Sequence, residues 1–220
     1  MTPQQRIKRL RALMHKRKIA ATIIPGTDPH ASEYSPEYWK EREWISGFNG
    51  SAGTVVVTTD DAGLWTDSRY FLQADEQLSG NGIRLFKDGL IETPSITDFL
   101  VESLKMGDSV AVNPEMFSIS AIEKLSSDLQ TKDILLNTEY DLLSEIWTGN
   151  RPLLPLEPIF YLTEEFSGET AKSKIARVRE QLKATHADAA LYSGLDEVAW
   201  LFNIRGNDVS FNPVAIAYAF

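Results

Sequence analysis

An internal repeat constrains the fold of this chain more than any other feature of its sequence. Apolar residues recur at helical spacing near the start of the chain, and the same spacing returns 168 residues later, within 170–185. The two apolar sets are Ile7, Leu10 and Met14, and Ile175, Val178 and Leu182. The same offset relates Gly26 to Gly194 and a predicted strand at 21–24 to 189–192. The chain therefore contains a second copy of its own opening helix–strand unit.

The second copy is shorter than the first. Trp200 corresponds to Trp44, with about twelve extra residues in the first copy, and strands are predicted at 200–204 and 214–220. The first copy continues for roughly 90 residues beyond the equivalent point. A sheet that lacks those later elements leaves strand edges unpaired. We therefore expect a fragment of a longer protein, or a sheet that another chain completes.

The order of predicted elements indicates a mixed α/β sheet, because strands first form a hairpin and then alternate with helices. A long loop is predicted over 27–43. Strands are predicted at 21–24, 44–45, 54–59, 64–66, 83–86, 109–112 and 134–136. Helices are predicted from Thr2 onward and at 68–78, 96–104, 119–129, 141–146 and 170–185.

A proline-rich segment predicts the domain boundary. Residues 151–158 carry three prolines. Proline fixes φ and removes a backbone donor, so this segment is typical of a semi-rigid linker. We predict a first domain at 1–150, a linker at 151–158 and an incomplete second domain at 159–220.

Composition excludes several classes of function. The 22 Lys and Arg residues against 31 Asp and Glu give a net charge of −9, which argues against nucleic-acid and membrane-surface partners. The absence of cysteine excludes disulfides, thiolate metal sites and cysteine nucleophiles. No signal peptide or membrane-spanning run is predicted, so we expect a cytoplasmic protein.

Two polar clusters are candidates for a metal site. His30 and Glu33 could place two ligands on one side of a turn, but a protein metal site usually needs three or four, so we expect a polar loop. Four aspartates could form a carboxylate cluster for nuclease chemistry. These aspartates are Asp60, Asp61, Asp67 and Asp75. A turn at 60–63 and helix capping by Asp67 are the simpler explanation of the pattern.

Glycines recur at every third position between two predicted strands, at Gly47, Gly50 and Gly53. A dinucleotide-binding fingerprint would need a strand before them and a helix after them, which is not predicted here. The pattern favours a hairpin with glycines at positive φ, and a backbone nest for a ligand is the alternative.

Arg69 is the candidate binding residue that the local sequence explains least. It falls in the first turn of the helix predicted at 68–78, where the macrodipole disfavours a cation. A residue placed against its local preference indicates a partner. The alternative is an exposed arginine paired with Asp67 or Asp75.

Four segments together resemble a known family. They are PGTDPHASEY at 25–34, SGFNGSAGT at 46–54, LWTDSRYFLQA at 64–74 and GLDEVAWLFNIRGND at 194–208. They closely resemble the cytosolic, three-domain type of Xaa-Pro aminopeptidase (aminopeptidase P). The resemblance covers essentially the whole chain. It implies two creatinase/prolidase N-terminal-type domains in tandem, each a ribonuclease-H-like mixed sheet with helices on both faces, the second incomplete.

The resemblance also implies that catalysis belongs to a different domain from those in this chain. In that family a C-terminal "pita-bread" domain holds two metal ions, usually manganese, which activate water to remove the N-terminal residue before a proline. That domain is absent from this chain, so no catalytic residue and no metal ligand is assigned here, and the chain alone is expected to be inactive. Its expected partners are short peptides with proline in second position and a second copy in a homodimer.

By the same resemblance, the N-terminal domains restrict access to the active site and contribute residues to its rim. Arg69 is the predicted substrate-binding residue, because a guanidinium suits a carboxylate or a peptide carbonyl. His30, Glu33 and Tyr34 are further predicted rim residues.

Two other classes of function stay open at this point. One is a non-catalytic, peptidase-like protein-binding module of the histone-chaperone type, whose acidic surface would suit basic partners. The other is a stand-alone ribonuclease-H-like nuclease, which a magnesium-dependent nuclease assay would detect. The metal ligands of the C-terminal sequence would separate the peptidase from the binding module.

Overall fold

The computed structural model describes all 220 residues, which form two compact units. Unit 1 comprises residues 1–29 and 40–151, and unit 2 comprises residues 30–39 and 152–220. By its contacts, the segment 30–39 therefore groups with residues more than a hundred positions later. The assignment of 1–150, 151–158 and 159–220 to two domains and a linker stays a prediction.

Unit 1 contains six strands and six α-helices. The strands are β1 (Ala21–Pro25), β2 (Thr54–Thr58), β3 (Ala62–Thr66), β4 (Arg84–Lys87), β5 (Ser109–Val112) and β6 (Leu135–Asn137). The helices are α1 (Pro3–Arg17), α2 (Glu41–Ser46), α3 (Phe71–Leu78), α4 (Ile96–Ser103), α5 (Ile119–Gln130) and α6 (Leu142–Ile146).

The six strands form one mixed sheet in the order β4-β3-β2-β1-β5-β6. β2 pairs antiparallel with β1 and with β3, whereas the β3–β4, β1–β5 and β5–β6 pairs are parallel. β2 is therefore the one strand that runs against the other five. Its first residue, Thr54, lies beside Pro25 at the end of β1 and Trp65 near the end of β3.

Helices cover both faces of this sheet, as the sequence predicts. On one face, Ile24, Val55 and Val57 pack with apolar residues of α1, α2, α3 and α6. On the other face, Ala21, Ile23 and Val56 pack with apolar residues of α4 and α5. The alternation follows from the two-residue period of a strand. The predicted α/β fold with a mixed sheet and helices on both faces is confirmed.

The two repeated helices begin with the same type of cap. The Thr2 hydroxyl accepts a hydrogen bond from Gln5 N, and Thr2 N donates to the Gln5 side chain, forming a capping box. In unit 2, the Thr170 hydroxyl accepts from Ser173 N. Thr2 and Thr170 are themselves 168 residues apart, so the repeat extends to the residues that start each helix.

Two predicted strands are helices. The predicted strand at 44–45 lies within α2, and most of the predicted strand at 200–204 lies within α9 (Leu195–Phe202). α2 buries residues at helical spacing that include the charged Glu41 and Arg42, which a hydrophobic pattern does not count. Residues in left-handed conformation end both helices, Gly47 at φ 79° and Asn203 at φ 53°.

Unit 2 contains little sheet. Its strands, β7 (Phe160–Tyr161) and β8 (Ile204–Arg205), form one antiparallel pair, and its other helices are α7 (Glu164–Ser167) and α8 (Ala171–Ala184). The strands predicted at 189–192 and 214–220 are wrong, since these segments meet only in an isolated bridge between Tyr192 and Ala219. The predicted apolar face of α8 is only half-buried. The strand periodicity there lacks the neighbouring strands that would complete a ladder. No helix in the structure combines the length and the apolar composition needed to cross a membrane.

A buried lysine joins the helices of unit 2. Lys174 on α8 is 3% exposed, and its ammonium donates to Trp200 O (2.9 Å) and to Asn203 Oδ1 (2.6 Å) at the end of α9. It also lies 4.5 Å from the ring centroid of Trp200. Asn203 in turn donates to Glu169 O, ahead of α8. Through Lys174 and Asn203, the network therefore joins the start of α8 to the end of α9.

A buried ion pair holds the last residue of unit 1. Arg151 Nη2 lies 2.8 Å from Glu41 Oε1, with the two side chains 10% and 4% exposed. Arg151 also donates to Ser144 and lies over the ring of Trp147. Burial, together with the charge of Asp141, raises the pKa of Glu41 to about 7 despite the opposing effect of Arg151. Burial and the neighbouring carboxylate together therefore outweigh the attraction within the pair.

The Glu41 carboxyl is expected to make the stability of unit 1 fall with rising pH. The folded state holds this proton up to about pH 7, whereas the unfolded chain releases it near its ordinary value of 4.5. The contribution is therefore fully present below pH 4.5 and is lost as the pH rises through about 7. Glu41→Gln, which cannot ionise, should flatten the decline in the urea midpoint between pH 5 and pH 8.

Glu145→Gln provides the control, because it removes a carboxylate from an ion pair with Arg17 in which both partners are more than a third exposed. Its pH profile should follow that of the unchanged protein. An equally steep decline in Glu41→Gln would contradict the assignment to Glu41.

Candidate functional site

Three connections of unit 1 meet at one edge of the sheet. β1 ends at Pro25–Gly26, β2 begins after the loop 47–53, and β3 is followed by the turn 67–70. The register places these ends side by side, with Pro25 opposite Thr54 and Thr54 opposite Trp65. In open α/β sheets, ligands bind outside the carboxyl ends of the strands, where β1 and β3 end here. This edge is the candidate site.

The loop 47–53 connects a helix to a strand, and so the predicted hairpin is wrong. Gly47 ends α2 in the left-handed region, and its N–H donates to Glu43 O. Phe48 then enters the core and is fully buried, with its backbone N–H held by the Ser46 hydroxyl (3.0 Å). The glycine is required at position 47 because a positive φ disfavours other residues.

Gly50 allows two aromatic rings to close over the loop. A Cβ at this position would collide with the ring of Phe48 and lie 2.7 Å from the Tyr70 ring. The rings of Phe48 and Tyr70 meet edge to face at 6.0 Å between centroids. The repeated glycines therefore have different roles: Gly47 ends a helix at positive φ, and Gly50 lets two side chains approach the backbone closely.

Arg69 lies in a turn before α3, which begins at Phe71. The Asp67 carboxylate accepts from Arg69 N (3.0 Å), and Tyr70 N donates to Asp67 O (3.0 Å). These local bonds compete with the helical ladder and delay the helix by three residues relative to the prediction. The predicted position of Arg69 in the first turn of a helix is therefore wrong, and Asp67 caps the turn.

The Arg69 guanidinium forms a two-point pair with Asp67. Nε donates to Oδ1 (2.9 Å) and Nη2 donates to Oδ2 (2.8 Å). The hydrogen bond from Arg69 lowers the pKa of Asp67. The Arg69 side chain nevertheless stays 64% exposed, so pairing and exposure coexist at this residue. Of the two partners considered from the sequence, the structure shows the pair with Asp67.

Arg69 lies over the ring of Tyr70, which is itself held by a contact with Ser51. The Tyr70 hydroxyl is 2.7 Å from the Ser51 hydroxyl, and the Arg69 Cζ is 5.3 Å from the Tyr70 ring centroid. The guanidinium is therefore oriented by a carboxylate and by an aromatic ring, while its exposure leaves it accessible to solvent. A planar cation held in this way can bind a carboxylate or a peptide carbonyl.

The other three predicted rim residues belong to unit 2. His30 Nδ1 lies 2.8 Å from Ser193 O, and its ring stacks on Tyr218 at 4.3 Å. Glu33 and Tyr34 are exposed on the same segment, 30–39. The predicted set is thus divided between Arg69 in unit 1 and the other three residues in unit 2. Their role at a substrate rim stays a prediction.

Two of the four aspartates that the sequence offers for nuclease chemistry pair with arginines. Asp61 pairs with Arg84 on β4 and accepts a hydrogen bond from Ala62 N (2.8 Å) at the β2–β3 turn. Asp67 pairs with Arg69. No group of three or more His, Asp or Glu side chains in the structure could hold a metal ion.

Several residues of the site escape sequence reasoning. Ser51, Phe48 and Tyr70 come together across 22 positions, and only the glycine spacing signals that this loop is special. Arg42 is the least expected member. It is 6% exposed, it donates to Gly50 O, and burial lowers its pKa. Nothing in a helix of six residues signals a buried guanidinium.

The fold and the edge site define a class of protein: an α/β domain with one reversed strand and a polar, arginine-bearing edge. Profiles of the Creatinase/Prolidase N-terminal domain match residues 6–140 and, separately, residues 150–220. The chain belongs to the Creatinase/Prolidase N-terminal domain family.

The relatives of this chain are Xaa-Pro aminopeptidases. It is 40% identical over 216 residues to a probable Xaa-Pro aminopeptidase P of Laccaria bicolor, covering 98% of this chain and 34% of that protein. It is 41% identical over 221 residues to an Xaa-Pro aminopeptidase of Drosophila melanogaster, covering 97% and 36%. The chain therefore spans about a third of the length of the curated relatives it matches.

A solved structure shows the same relation. The crystal structure of X-prolyl aminopeptidase from Caenorhabditis elegans, described as a cytosolic enzyme with a di-nuclear active site, matches with a TM-score of 0.92. The match has 37% sequence identity and covers 99% of this chain and 37% of that chain.

The tight contact at Gly50 predicts a specific intolerance. In Gly50→Ala the added methyl group would meet the Phe48 and Tyr70 rings, and overpacking of this kind costs about 1–3 kcal/mol. Gly149→Ala is the matched control, since a Cβ there meets nothing within 4 Å and φ is not positive. Urea unfolding should show a clear loss of stability for Gly50→Ala and a change within about 0.5 kcal/mol for Gly149→Ala. Equal stability of the two variants would mean that the rings separate freely.

Proposed function

We propose that this chain is the N-terminal, non-catalytic region of a metal-dependent Xaa-Pro aminopeptidase, which removes the N-terminal residue of a peptide before proline. The observation that carries the proposal is the match to the C. elegans X-prolyl aminopeptidase over 99% of this chain at 37% identity. The curated relatives at about 40% identity support it. Cytoplasmic location belongs to the same proposal and is supported by the cytosolic description of the C. elegans enzyme.

The metal ions would lie outside this chain. The C. elegans enzyme has a di-nuclear active site, whereas the residues of this chain do not fit such a centre, because no three potential ligands come together. Divalent ions, with manganese as the proposed metal, would therefore be held by the remaining part of the longer protein. Such ions activate water for hydrolysis.

This chain would contribute access control, rim contacts and assembly into a homodimer. Arg69 is the proposed substrate-binding residue, because its guanidinium is exposed and is held in place by Asp67 and Tyr70. A preorganised planar fork binds a carboxylate or carbonyl with little loss of side-chain entropy. His30, Glu33 and Tyr34 are the additional proposed rim residues.

Replacement of Arg69 should impair use of the substrate in the longer protein. Arg69→Ala is expected to raise KM for an Xaa-Pro peptide, or to lower kcat/KM, by about tenfold or more, because a charge-assisted hydrogen bond contributes about 1.5–3 kcal/mol. Arg84→Ala, which removes an exposed arginine from another edge of the sheet, is the control. Unchanged kinetics in Arg69→Ala would remove Arg69 from the site.

The 220-residue chain alone should be inactive. Incubation with Xaa-Pro peptides and manganese should give no hydrolysis above the rate of a metal-only blank, because the chain has no metal-binding group. The longer protein should hydrolyse the same peptides and lose this activity on chelation. Turnover by the short chain would refute the division of roles, and an inactive longer protein that binds basic proteins would favour the non-catalytic binding module instead.

A further inference from the structure

Arg42 is a buried cation at the base of the candidate site. Its side chain extends from α2 towards Gly26, after the end of β1, and Gly53, before the start of β2. A Cβ at Gly26 would lie 2.8 Å from Arg42 Nε, and one at Gly53 would lie 3.4 Å from Arg42 Nη1. Gly26 therefore keeps open the slot that the guanidinium occupies. No larger residue at position 26 would leave room for it.

The contacts of this guanidinium are unusual for its burial. Nη2 donates to Gly50 O, and Cζ lies 4.9 Å from the ring centroid of Phe48. Nε and Nη1 are buried without a hydrogen-bond partner. Buried donors are nearly always paired in native structures, because an unpaired donor costs the desolvation energy of the group. The contacts that the guanidinium does make, with Gly50 and Phe48, both lie in the loop 47–53.

A continuous series of contacts leads from Arg42 to Arg69. The Arg42 guanidinium lies over the Phe48 ring, the Phe48 ring meets Tyr70 edge to face at 6.0 Å, and Arg69 lies over Tyr70 at 5.3 Å. The hydrogen bond to Gly50 O holds the loop in which Ser51 contacts the Tyr70 hydroxyl at 2.7 Å. Tyr70 is therefore connected to the Arg42 guanidinium in two ways, through the Phe48 ring and through the loop that carries Gly50 and Ser51.

We infer that Arg42 is a positioning residue for substrate binding: its guanidinium fixes the loop 47–53 and the Tyr70 ring, and thereby sets the orientation of Arg69. This inference rests on the proposed function only for the identity of the substrate, since the contacts themselves lie within unit 1. Lysine cannot reproduce both contacts, because a single ammonium cannot lie over Phe48 while a separate arm donates to Gly50 O.

Amide hydrogen exchange on this chain tests the structural part without any activity. In Arg42→Met, amides at 48–53 and 67–70 should exchange about tenfold faster or more, while those of β5 and β6 keep their rates. Arg42→Lys, which retains the charge and disturbs packing less, should show the same pattern to a smaller degree and serves if Arg42→Met does not fold. Arg84→Met is the matched control, because Arg84 also lies over aromatic rings, those of Phe86 and Phe99. It should leave 48–53 and 67–70 unchanged.

Equal acceleration throughout unit 1, or none in the loop and turn, would overturn the inference. The first result would mean that Arg42 acts only on global stability, and the second that the loop holds its conformation without it.

Kinetics of the longer protein test the functional part. Arg42→Lys should raise KM for an Xaa-Pro peptide about tenfold with kcat changed by less than about twofold, and it should add little to Arg69→Ala in the double variant. An undiminished effect in the Arg69→Ala background would overturn the inference. If the unchanged longer protein hydrolyses no Xaa-Pro peptide, the proposed function fails, and the exchange pattern alone decides whether Arg42 orders the loop.

Discussion

The antiparallel pairing of β2 with both of its neighbours is the constraint on which the arrangement of unit 1 depends. Because β2 runs against β1 and β3, its first residue lies beside their last residues. The loop that enters β2 and the turn that leaves β3 therefore share one edge of the sheet. A fully parallel sheet would place the entry to β2 at the opposite edge, away from Asp67 and Arg69. The direction of β2 therefore determines which connections meet at the candidate site, and the side chains of those connections then determine its chemistry.

Three of the four buried charged residues are accommodated in three physically different ways. Lys174 finds carbonyl and amide oxygens at the end of a helix. Glu41 finds a cationic partner in Arg151, although burial still raises the pKa of the acid. Arg42 has a carbonyl and an aromatic face, and it leaves two donors unpaired. Of these three, the least compensated charge is Arg42, at the candidate site.

The sequence predicts features that arise from local periodicity and capping. The helices that begin after Thr2 and Thr170 and the alternation of elements in the mixed α/β sheet follow from patterns within short windows. The repeat follows from comparing two such windows 168 residues apart. The strands predicted around Trp44 and Trp200 fail because aromatic and β-branched residues favour strands locally, while tertiary packing there selects short helices. Two of the residues that α2 buries are charged, and pattern analysis assigns such residues to the surface.

At the candidate site, the sequence allows the contacts of Arg69 with its near neighbours to be predicted, but not the contacts that hold Tyr70 in place. Arg69 and Asp67 lie two positions apart, so their pairing could be considered from the sequence. Ser51 and Tyr70 lie 19 positions apart and in different elements, so their contact depends on the register of β2 with β3. Long-range contacts of this kind require the fold first, which is why Arg42 carries no signal in its own helix.

The aromatic stack next to the Glu41–Arg151 pair gives unit 1 a built-in spectroscopic probe. Trp44 and Trp147 stack at 5.0 Å between centroids with an interplanar angle of 14°. Two indole rings this close couple their electronic transitions, and so their circular dichroism in the near ultraviolet differs from that of isolated tryptophans. Because one ring is on α2 and the other directly follows α6, that signal exists only while the two helices stay together. Near-ultraviolet circular dichroism therefore reports directly on the contact between α2 and α6, with no added label.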